Sequence, residues 1–81
     1  MNNERRKRIA SALEQIEEVK SEIEQLAEEE REAYENMPES LQESERGETM
    51  QENVGTMENV VDSLETQIDE VNDCIQSLDT M

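Results

Sequence analysis

Between Met50 and Leu78 the chain reads MQENVGTMENVVDSLETQIDEVNDCIQSL. Its apolar residues fall at Met50, Val54, Met57, Val61, Leu64, Ile68, Val71, Ile75 and Leu78, in steps that alternate between four and three. This is the heptad repeat of a helix that lays one apolar seam on a partner, with Val54, Val61, Ile68 and Ile75 at a and Met57, Leu64, Val71 and Leu78 at d. No run alternates with the period of two that a strand requires. Gly55 occupies a b position, turned away from the seam. There it costs about 1 kcal/mol against alanine, so the helix is expected to continue through it, with at most a local kink.

The upstream half shows the same alternation at Ile9, Ala12, Ile16, Val19, Ile23 and Leu26. That register runs on through Glu30, Ala33 and Met37 and so weakens toward Asn36–Gly47, NMPESLQESERG, which holds the only proline and ends on one of two glycines. Proline disfavours helical geometry in the residue before it and suits the first turn of a new helix. Ser40 to Glu43 has the S-x-x-E form of a capping box, and Ser44 is a second N-cap candidate. The sequence therefore predicts helix one over 3–35, a connection over 36–44 with one irregular turn, and helix two over 45–80. Gly47 falls in the first turn of helix two, and Leu41 is expected to plug the closed end beside Tyr34. The fold class expected is all-α: an antiparallel helical hairpin of coiled-coil type forming a single domain.

Composition alone would favour disorder, with 32% hydrophobic residues, Tyr34 as the one aromatic residue and a formal net charge of −16 over 81 residues. The ordered spacing argues the other way. A chain this acidic repels nucleic-acid backbones and anionic membranes, so neither is an expected direct ligand, and its natural partners are basic protein surfaces. The basic start ERRKR is followed by no apolar run of signal-peptide length, and no stretch approaches a membrane span. One cysteine, Cys74, excludes an intramolecular disulfide framework and fits a cytoplasmic location.

Arg5, Arg6, Lys7 and Arg8 oppose the dipole at the start of helix one. In a hairpin that end lies beside the C-terminus of helix two, so the expectation is that Asp69, Glu70, Asp73 and Asp79 compensate the cluster; a separate binding role is the alternative. Apolar residues also flank the seams, with Val60, Cys74 and Met81 at g in helix two and Leu13, Ala27 and Tyr34 at e in helix one. A two-stranded coil would leave these exposed, whereas a four-helix bundle buries a face of that width. A homodimer of hairpins is therefore expected. The core and dimer residues would be Ile9, Ile16, Ile23 and Leu26 with the helix-two seam from Val54 to Leu78.

No catalytic constellation emerges. The chain has no histidine, hence neither the usual general base nor the usual zinc ligand. Cys74 reads as a small packing residue. Phosphate-binding glycine loops and calcium-loop patterns are missing, so no catalytic, metal or cofactor site is expected, and the protein is read as non-enzymatic. What stands out is charge. Gly47 to Met81 contains nine acids and no base, so helix two gains no i,i+4 pairing and its like charges repel. Glu58, Asp62, Glu65, Asp69 and Asp73 are the candidate partner-binding residues. A dimer would approach the charge density of a DNA duplex, about one charge per 1.7 Å, which suggests a duplex (DNA) mimic; the alternative is an acidic solubilising surface, or a docking face for one basic partner without mimicry. Met37, Leu41 and Arg46 at the connecting tip form a second candidate surface.

The run Asn36, Pro38, Glu39, Ser40, Leu41, Gln42, Ser44, Arg46 and Gly47, set between two acidic heptad helices, resembles a group of small uncharacterised acidic helical-hairpin proteins of tailed phages and prophages. The resemblance implies action in the bacterial host cytoplasm and inhibition of a basic, nucleic-acid-handling host protein, with an anti-defence role as its concrete form. The rival reading is a structural or oligomerisation module with no inhibitory role.

Overall fold

The structure is a computed structural model that describes residues 2–79. Three helices follow in order: α1 (Asn3–Glu35), the single turn α2 (Glu39–Gln42) and α3 (Glu45–Asp79), with no strand among the described residues. The all-helical class expected from the spacing is what forms. The cross-helix pairs Glu30–Asn53, Lys20–Glu65 and Arg31–Glu58 run in opposite directions along the two long helices, which makes α1 and α3 an antiparallel hairpin. Its extents are 60 × 16 × 12 Å, about the length of a 33- to 35-residue helix plus the turn. Met81, expected at a g position of the second helix, lies outside the described residues, as does the side chain of Asp79.

The seam of α3 is the one its spacing predicts, with Met50, Val54, Met57, Val61, Leu64, Ile68, Val71, Ile75 and Leu78 all buried or half-buried. The helix passes through Gly55 unbroken. The seam of α1 differs. Ile9, Ile16, Ile23 and Glu30 face the partner helix as expected, but the alternate positions are Leu13, Lys20, Ala27 and Tyr34. Ala12, Val19, Leu26 and Ala33 are exposed instead, Val19 at 47% and Leu26 at 49%. Relative to the a/d seam read from the sequence, α1 is rolled by roughly 50° about its axis, since successive residues turn by 100°. The roll brings Lys20 and Arg31 round to the acids of α3 and tucks Ala27, 4% exposed, against the opposite helix.

The closed end is held by Gln42. Its side-chain amide Nε2 donates to the carbonyls of Tyr34 (3.0 Å), Met37 (3.1 Å) and Glu35 (3.4 Å). Those are the last carbonyls of α1 and its exit, beyond the helix's own i+4 ladder; that of Tyr34 also accepts from the Met37 amide at 3.1 Å, and no base stands in that last turn. At its other end α1 is capped by Asn2, whose Oδ1 accepts from the Arg5 amide at 2.8 Å. The turn itself starts two residues earlier than the capping-box reading placed it. Pro38, with φ −57°, is the cap of α2, and its carbonyl accepts from Leu41 and Gln42. Ser40 is thus inside α2 rather than capping a helix, because the proline has already set the first turn. Ser44 caps α3: its Oγ accepts from the Gly47 amide at 3.4 Å and donates to the Leu41 carbonyl. Leu41 does not plug the closed end; it is 47% exposed, while Met37 is half-buried.

Gly47 is buried against the backbone of Gln42, and a Cβ there would stand 2.1 Å from the Gln42 carbonyl oxygen. The contact is with backbone, so no side-chain rotation relieves it. At Gly55 an added Cβ meets nothing within 4 Å. Gly47→Ala is therefore expected to destabilise by about 2 kcal/mol or more, and Gly55→Ala to stabilise by about 1 kcal/mol; urea unfolding followed by circular dichroism at one fixed protein concentration reads both. Gln42→Leu, which keeps bulk and removes the amide, is expected to cost about 1–2 kcal/mol in the same measurement. Gln42→Glu is expected to cost more, because a carboxylate would face carbonyl oxygens.

Candidate functional site

The roll of α1 gives the hairpin two unlike edges. On one, each of two α1 bases bridges an acid of its own helix to an acid of α3. Lys20 Nζ lies 3.4 Å from Glu24 and 3.9 Å from Glu65, while Arg31 reaches Glu28 at 2.9 Å through Nη1 and Glu58 through Nη2. Both α3 partners occupy e positions, flanking the a-line of its seam. Such partly exposed pairs contribute about 0.2–1 kcal/mol apiece, enough to favour one roll of α1 over another when the apolar pattern permits both.

The five acids singled out in the sequence thus divide. Glu58 and Glu65 are engaged with Arg31 and Lys20 and help to hold the hairpin closed. Asp62, Asp69 and Asp73 are exposed on the outer surface of α3 and form no ion pair among the described residues. At 1.5 Å per residue they are spaced by about 10 Å and about 6 Å along the axis. Glu48, Glu52 and Glu70 are also exposed on α3. The two α3 acids that double as fasteners were not separable from the rest by sequence, because their partners sit forty-five residues upstream of Glu65 at Lys20 and twenty-seven upstream of Glu58 at Arg31.

The opposite edge is largely apolar. By the antiparallel register, Ala12 stands level with Cys74, Val19 with Gln67 and Leu26 with Val60. Leu26 borders a shallow depression shared with Met57, Val60 is 40% exposed, and Cys74 is a free, exposed thiol. Across this edge Asn53 Nδ2 donates to Glu30 at 3.1 Å.

The basic cluster of α1 stands at the open end, while around the closed end Glu35, Glu39, Glu43, Glu45 and Glu48 outnumber Arg46. Arg5, Lys7 and Arg8 are exposed and form no ion pair with Asp69, Glu70 or Asp73. By the register the cluster stands level with the end of α3, more than a helical turn beyond Asp73; of the four acids expected to compensate it, Asp79 is the one at that level, and its side chain lies outside the described residues. At the tip, Arg46 and Leu41 are exposed and Met37 is half-covered. Among the described residues, no group of three acidic, cysteine or histidine side chains converges as a metal site would require. No helix among them is long and apolar enough to cross a membrane. No family model matches the chain, and neither a curated protein nor a solved structure is significantly similar to it.

Proposed function

We propose that this protein is a non-enzymatic, phage-type acidic binding protein. Two hairpins join as a four-helix bundle that occupies the basic surface of a nucleic-acid-handling host protein in the bacterial cytoplasm and blocks it. The observation that carries the reading is the uncompensated outer face of α3, with Asp62, Asp69 and Asp73 exposed and no base anywhere on that helix beyond its first turn. An acidic face kept free of counter-charge costs helix stability through like-charge repulsion. The same face raises the association rate with a basic partner and sets its orientation. α1 illustrates the alternative use of charge, since Lys20 and Arg31 spend theirs on holding the fold. A pair of chains, each with a net charge of −16, spread over the 60 Å length approaches the roughly 35 charges that B-DNA carries over that distance. This supports mimicry of a duplex as the mode of blocking. The apolar edge favours a second reading, an oligomerisation module whose only partner is itself.

Capture from bacterial lysate on the immobilised protein separates the two. A blocking partner is expected to elute by about 0.5 M salt, to be displaced by duplex DNA, and to be lost from an Asp62→Lys, Asp69→Lys, Asp73→Lys variant of unchanged helicity. A partner that stays bound through high salt and to that variant would sink the acidic-face reading. Recovery of nothing but the chain itself would favour the oligomerisation module.

A further inference from the structure

We infer that the second copy docks antiparallel on one specific edge, the stripe of Val19 and Leu26 of α1 and Val60 of α3; the inference rests on the dimer proposed above and gives it a face and a direction. A single hairpin is short of core. Ala27 and Ile68 are its only buried hydrophobic residues among those described, and no large side chain is fully buried. Its accessible surface is 6190 Å², whereas a compact monomer of 9.4 kDa is expected to expose about 5,000 Å². The difference, roughly 1,200 Å², exceeds the ~800 Å² that each partner contributes to a standard stable interface.

The position of the uncovered apolar residues says where that surface is to be buried. They lie on the edge without ion pairs, and they keep the heptad spacing of a helix-packing line: Ala12, Val19, Leu26 and Ala33 each follow the last by seven residues. The opposite edge is occupied by the Lys20 and Arg31 bridges and offers no such line. The charges at the two ends set the direction. A two-fold axis between the levels of Val19 and Leu26 brings Arg5 and Arg8 of each copy level with the tip of the other, where Glu35, Glu39, Glu43, Glu45 and Glu48 outnumber Arg46. A parallel pair would instead set basic cluster beside basic cluster and acidic tip beside acidic tip, which like-charge repulsion disfavours.

The test uses the full chain. Sedimentation equilibrium is expected to give a dimer, and a monomer at about 100 μM would overturn this inference and the dimer together. Val19→Glu with Leu26→Glu changes only exposed positions, so helicity should persist while the dimer weakens by about 100-fold or more. If that variant loses helicity, Val19→Ser with Leu26→Ser takes its place, with the same weakening expected. A helical variant that dimerises as tightly as the unmodified chain would overturn the face while leaving the dimer standing. A spin label on Cys74 reads the direction. Cys74 lies about ten residues from the proposed axis, so antiparallel docking separates the two labels by about 30 Å along the bundle. A separation under about 15 Å would mean parallel docking and overturn the proposal.

Discussion

The hairpin depends on a contact of backbone with backbone. Gly47 lies so close to Gln42 that no side chain fits between them, and this approach lets α3 start directly beneath the end of α1. The Gln42 amide then donates to the carbonyls at the end and exit of α1 from the same place. One residue thus supplies both the surface on which α3 rests and the cap that ends α1. Everything further along, including the register that brings Lys20 to Glu65 and Arg31 to Glu58, follows from the spacing set there. A wider turn would shift each cross-helix pair along the axis, and the long bases could not reach both of their acids.

How far the amino-acid sequence reveals this differs between the helices. α3 is legible throughout because only one line of positions is apolar from Met50 to Leu78. α1 is ambiguous because two neighbouring lines are about equally apolar: Ala12, Val19, Leu26 and Ala33 on one, Leu13, Lys20, Ala27 and Tyr34 on the other. Counting apolar residues favours the first, since the second contains a lysine. The structure takes the second, and the lysine is part of the reason, because its stem packs while its ammonium reaches an acid across the seam. Periodicity carries no information about charge pairing between distant segments. The capping reading failed at Ser40 for a related reason. The S-x-x-E pattern is satisfied there, but the preceding proline has already begun the turn. Gln42, the residue that matters most at the closed end, has no local signature, because its partners are carbonyls of a helix that had already ended.

Charge serves two purposes on one helix. Glu58 and Glu65 at e positions meet bases and contribute to the fold, whereas the acids at b and f positions are exposed and form no ion pair among the described residues. The division follows from angular position on α3 and not from residue type. The b and f positions therefore combine high charge density with freedom from structural duty, as an electrostatic ligand for a basic surface requires. The apolar edge lies on another side of the hairpin, so a bundle closed through that edge leaves the outer acids of both copies uncovered.

The tightness of the closed end also has a consequence for how the chain reaches its fold. Nine residues separate α1 from α3, so the contacts around Gln42 and Gly47 close a short loop, and the entropy lost is the smallest that any contact between the two helices demands. Contacts nearer the termini become cheap only after these have formed. The hairpin thus has a built-in order of assembly: the turn is the nucleus, pairing advances along the seam, and the basic N-terminus and the end of α3 are the last parts to meet.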